Sequence, residues 1–110
     1  MGTKALVISA VLGIVAAGTL AAQQPVDAAA LYAKTCASCH GAQGTPSPAM
    51  AHAMTGIPDF RAASMESVAD SVLRDAIVNG KGRMMASYKT RLTPDQVAAL
   101  VRYLKSFSRH

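Results

Sequence analysis

Tryptophan is absent from this 110-residue chain, which has only two phenylalanines and three tyrosines. A chain so poor in large side chains cannot build two cores, so a second domain is excluded. Even one core is thin, and a domain of this size then needs a disulfide, a metal or a bound group as a staple. Acidic residues are also scarce: six face eleven Lys and Arg, a net charge of +5, and none precedes Asp27. Cysteine occurs twice, at Cys36 and Cys39. Neither an internal repeat nor the period-2 pattern of a convincing strand is present, so the expected fold class is all-α.

What the chain does have begins with MGTKALVISAVLGIVAAGTLAA, where Lys4 precedes an unbroken run of apolar and small residues. A short basic start, an apolar middle and small residues at the end form a secretory signal. Cleavage is expected after Ala21 or Ala22, although neither position matches A-x-A. The alternative is a retained membrane anchor, since Ala5 to Ala22 is close to the ~17 residues needed to span a bilayer. The expected organisation is therefore a signal, residues 1–22, and one domain, residues 23–110. Either way the domain leaves the cytoplasm, for the periplasm or another extracytoplasmic space.

Removal of the signal leaves ten cations against six acids, a balance of +4. A moderately basic surface suits acidic protein partners or anionic membrane surfaces through long-range steering. The cations are scattered along the chain, which argues against a nucleic-acid partner.

Four helical segments are expected in the mature chain. Asp27 is a fair N-cap for a helix running to Cys36, with Leu31, Tyr32, Thr35 and Cys36 on one side. Residues 41–60, rich in Gly and Pro, read as ordered loop with one short turn of helix near Ala49 to Met54. The next helix is strongest over Ser67 to Val78, where Val68, Val72, Leu73, Ala76 and Ile77 recur at spacings of three and four, and Asn79-Gly80 ends it. A second loop carries Met84 and Met85. The last helix opens at Thr93-Pro94-Asp95-Gln96, a capping box with proline at the first helical position, and carries Val97, Leu100, Val101, Leu104 and Phe107 on its apolar face.

The stretch CASCHG, Cys36 to Gly41, carries the chemistry. A dithiol redox pair would follow a strand in an α/β fold, and here a helix precedes it. A structural zinc site needs a fourth ligand, normally from a second CxxC or a close pair of histidines, and His52 and His110 supply no such pair. Covalent attachment of haem c remains. Two cysteines three apart lie on one side of a helical turn, so both sulfurs reach the vinyl groups on one porphyrin edge. His40, directly after them, is placed to bind the iron through a neutral imidazole. Export agrees, because c-type haem is attached outside the cytoplasm. A thioether is the usual ligand for the iron's other face when electron transfer is the task. Among Met50, Met54, Met65, Met84 and Met85, the last two lie in a Gly-rich loop that can approach a flat ring.

The stretches ALYAKTCASCHG and IVNGKGRMMASYKTRLTPDQVAALVRYLKSF resemble the small class I monohaem cytochromes c of bacterial type. The resemblance covers nearly all of residues 23–110. It implies three to four helices wrapped around one covalently bound haem, with the N- and C-terminal helices packed across each other. Leu31 or Tyr32 would then meet Leu100, Tyr103 or Leu104.

The resemblance also implies a carrier of single electrons, not an enzyme, monomeric and working between redox proteins with acidic docking patches. Membrane contact enters only if the N-terminal segment is retained. Cys36 and Cys39 would hold the haem, His40 would be the proximal ligand and a methionine the distal one. Counting back from Tyr88 and Leu92-Thr93 places that ligand at Met85; counting forward from Gly80 and Gly82 allows Met84. The proline that follows this methionine in the family is replaced by Ala86. The carbonyl of Pro48, or of Pro46, would accept the His40 ring N–H. Tyr88 would hydrogen-bond a haem propionate. His52 is an alternative iron ligand. Two other functions stay open: a haem subunit of an exported oxidoreductase complex, and a five-coordinate haem sensor or peroxidase if neither methionine reaches the iron.

Overall fold

Side-chain caps at Asp27, Ser47 and Thr93 set where three of the helices begin. The computed structural model describes residues 2–14 and 24–109. The expected cleavage point at Ala21 or Ala22, like His110, lies outside the described residues. Helix α1, Ala28–Thr35, starts where Asp27 Oδ1 accepts the Ala30 amide at 3.0 Å. A single turn, α2, Ala37–His40, follows after Cys36 and is closed by Gly41 at φ 85. Helix α3, Pro48–Ala53, is capped by the Ser47 side chain, which accepts from the Met50 amide. A 3-10 segment, Ala63–Ser67, leads into α4, Asp70–Asn79, which ends at Gly80 with φ 77. The capping box of α5, Pro94–Phe107, is complete: the Gln96 amide donates to Thr93 Oγ1 at 3.2 Å and the Thr93 amide to Gln96 Oε1 at 2.9 Å.

Among the described residues no strand forms, so the all-α expectation holds. Residues 2–14 contain no helix, and Leu6, Val7 and Ile8 there are exposed. No helix among the described residues is long and apolar enough to cross a membrane.

The core lies where α5 meets α1 and α4. Burial of its apolar stripe, Val97, Leu100, Val101, Leu104 and Phe107, supplies most of the drive for α5 to dock. Tyr32 and Leu100 are each 1% exposed, at the centre of the cluster. The Tyr32 ring lies 5.3 Å from both Tyr103 and Phe107, as the packing of first on last helix requires. Its hydroxyl donates to the Gly41 carbonyl at 2.7 Å, so a buried phenol is satisfied and the turn after CASCHG is tied to α1. Burial pushes that phenol up, with Cys36 and Tyr103 adding to the effect. Across the other face, Lys105 of α5 bonds Asp70 of α4 at 2.9 Å and holds its carboxyl below the usual range. Lys105 is half-buried and Asp70 exposed, so water screens the pair and it adds little to stability.

A candidate haem site

The same packing leaves an apolar cavity of about 770 Å³ beside α2, bounded by α4 and the loop after it. Cys36, Cys39 and His40 line it, as do Met84, Met85 and Tyr88. Residues 36–40 and 84–88, far apart in the chain, thus share one space. Met65, Leu73, Ile77 and Leu104 give it an apolar wall.

Cys36 and Cys39 are free thiols, each half-buried. Burial pushes the Cys36 thiol up, and a hydrogen bond from Thr35 works against it. His40 is half-buried, and desolvation lowers its pKa, which favours the neutral imidazole that a metal requires. Its ring stacks on Phe60 with centroids 4.9 Å apart and planes 25° apart. Phe60 is itself buried, and its amide donates to the Gly44 carbonyl at 2.9 Å. The aromatic thereby anchors the loop that carries it beneath the histidine.

The methionine loop is held by backbone geometry. Lys81 and Met85 exchange amide bonds, 2.9 Å from the Lys81 amide to the Met85 carbonyl and 3.2 Å in return, so Gly82, Arg83 and Met84 form a short loop between them. Gly80 is required there: a Cβ on it would lie 2.5 Å from the Met85 carbonyl oxygen. The two methionines differ sharply in environment. Met85 packs against the core cluster, whereas Met84 is 69% exposed at the tip.

Tyr88 lines the cavity, and its hydroxyl donates to the Thr35 carbonyl at 3.3 Å. Pro48 sits exposed at the first position of α3 and does not line the cavity; neither does Pro46. The buried His40 Nδ1 has no partner among the described residues, so the structure does not join it to either proline carbonyl. His52, on α3, is exposed and off the cavity wall. Phe60, Met54 and Met65 belong to the wall and were not singled out as site residues by the pattern. A separate surface cleft between Glu66, Asp70, Arg102, Lys105 and Arg109 is lined entirely by charged residues, unlike the apolar wall a porphyrin needs.

The fold and this cavity define a small all-α haem protein. The family model for cytochrome c matches residues 26–108, and the chain belongs to the cytochrome c family. Among solved structures it is similar to the KustC0563 c-type cytochrome, with 31% identity and a TM-score of 0.67 over 74% of this chain and 98% of that one. A single tyrosine-to-phenylalanine variant of that protein matches at 30% identity and a TM-score of 0.66, over 74% of this chain and 99% of the other. No curated protein matches.

Membership brings covalently bound haem c with its iron, and a role as haem electron carrier. The cavity fits that group: two free thiols three residues apart, a desolvated imidazole, a thioether and an apolar wall share one space.

Proposed function

We propose that residues 23–110 form an exported single-haem cytochrome c that passes one electron at a time between redox proteins. In this reading Cys36 and Cys39 tether the haem as thioethers, His40 is the proximal ligand and Met85 the distal one. Haem supplies the one-electron couple; the chain supplies position and dielectric. The observation that carries the reading is the convergence of Cys36, Cys39, His40 and Met85 on one apolar cavity, with Met85 packed and Met84 turned to the exposed tip. His40, Met65, Leu73 and Ile77 exclude water, so a change of charge there requires little rearrangement of solvent. No acid, base or nucleophile has a part in this reading.

The visible spectrum of the reduced protein, with and without carbon monoxide, tests it. Two axial protein ligands leave carbon monoxide no free position, so the spectrum should be unchanged by the gas. A shift on adding it would mean an open iron face, as in a sensor or peroxidase.

Lys81, Arg83, Lys89 and Arg91 are all exposed around the methionine loop, and the first two line the cavity. This ring of charge suits an acidic partner docking near the haem. Reversing two of these charges should slow electron transfer to such a partner about tenfold or more at low ionic strength, with the difference fading as salt is added. Equal rates at low salt would remove the steering.

A further inference from the structure

Tyr88 stands three residues beyond Met85, where the methionine loop turns toward α5. Its backbone is tied on both sides: the amide donates to the Ile77 carbonyl of α4 at 3.0 Å, and its carbonyl accepts the Arg91 and Leu92 amides, each at 3.0 Å. The ring packs against the core cluster, and the Arg91 guanidinium lies 4.8 Å from its centroid. Ring and backbone are therefore fixed, and the hydroxyl is delivered to one place. It donates to the Thr35 carbonyl at 3.3 Å, across 53 positions of sequence.

The acceptor is informative. Thr35 is the last residue of α1, where a helix leaves carbonyls without partners in its own ladder. The next residue is Cys36. The Tyr88 hydroxyl thus joins the loop bearing the distal methionine to the backbone that leads into the tethering cysteines. The loop's other ties run elsewhere: the Ser87 hydroxyl donates to the Val78 carbonyl at 2.6 Å, and Lys81 pairs with Met85 itself. At the tip, Gly82, Arg83 and Met84 are exposed, and Ala86 stands where a proline would stiffen the chain.

We propose that Tyr88 is a positioning residue for the distal ligand, a strap that must be broken before Met85 can swing away from the iron. This rests on the reading of Met85 as that ligand. It replaces the expected bond from Tyr88 to a propionate, because the hydroxyl has one proton to donate and Thr35 receives it.

The test uses the ferric holoprotein and the Tyr88→Phe variant, which keeps the ring and removes the bond. The rate at which imidazole displaces the methionine is followed through the near-infrared sulfur-to-iron band. The variant should retain the band without imidazole and lose it about three to ten times faster on mixing, the range expected for one hydrogen bond. A rate within twofold of wild type would overturn the strap, even if the variant unfolds at a lower temperature. An unchanged rate together with an altered pH dependence of the reduction potential would overturn it in favour of the propionate contact. Absence of the band from wild type would instead remove the reading of Met85, and the strap with it.

Discussion

Replacing Met85 with alanine is expected to abolish the near-infrared band of the ferric protein, lower its reduction potential and open the reduced iron to carbon monoxide. Replacing Met84 should do none of these. Both side chains line the cavity, so the difference lies in how each is held. Met85 is pinned through both its amide and its carbonyl to Lys81 and packs on the core, which restricts its side chain before any bond to iron forms. Met84 lies between the paired residues, two positions after Gly82 at φ 57, and is 69% exposed. A thioether drawn from that tip would have to give up solvent freedom that Met85 has already lost. The potential should fall because a methionine ligand favours the ferrous state. Met84→Ala should change stability by no more than about 0.5 kcal/mol, as for other exposed positions. The opposite pattern, with the band surviving in Met85→Ala and lost in Met84→Ala, would move the ligand by one residue.

Substituting alanine for Gly41 should be nearly as damaging, although no cavity-lining side chain changes. Gly41 adopts φ 85 directly after His40, and a Cβ there would lie 1.8 Å from the Thr45 carbonyl oxygen. The clash is with backbone, so no rotamer relieves it; the 41–45 turn must move. That movement also strains the bond from the Tyr32 hydroxyl to the Gly41 carbonyl, which ties the turn to α1. Left-handed backbone costs about 1–2 kcal/mol for a residue with a Cβ. Forced displacement of a packed segment adds about 1–3 kcal/mol. The unfolding midpoint should fall by at least about 10 °C, with reduced haem incorporation. Gly56 is the control: its φ is 90, yet a Cβ there meets nothing within 4 Å. Gly56→Ala should therefore incur the conformational cost alone. Equal midpoints for the two variants would show that the turn after CASCHG is not held as described.

The parts of this protein legible in its sequence are those fixed by neighbours along the chain. Thr93 and Gln96 form the expected capping box because both partners lie within four residues. Asp27 caps α1 for the same reason. CASCHG was legible because thioether spacing and the adjacent histidine are local requirements. The start of α4 was less so. Its apolar period pointed to Ser67, but the Ser67 hydroxyl bonds the Ser64 carbonyl and the Val68 amide reaches Met65, continuing a 3-10 turn. Met65 is drawn into the core, and the α-helix begins only at Asp70. That choice belongs to tertiary packing.

Long-range contacts were legible only in outline. The pattern brought Tyr32 to α5 but gave no sign that Phe60 stacks on His40 twenty residues away. Gly44 read as a loop residue, yet a Cβ on it would lie 2.8 Å from the Phe107 ring, so its lack of a side chain lets α5 close over the turn. Tyr88 was marked by its place near the methionines; its partner, the Thr35 carbonyl, is a backbone atom that no side-chain pattern encodes. Pro48, whose carbonyl the resemblance offers to His40, stands exposed at the first position of α3.

A spectroelectrochemical titration of the purified protein tests the central claim most directly. A site that keeps His40 and Met85 on the iron in both oxidation states should give one reversible one-electron wave, identical on oxidation and reduction, with isosbestic points throughout. Hysteresis between the two directions, a second wave, or the absence of haem bands would contradict a carrier built on Cys36, Cys39, His40 and Met85.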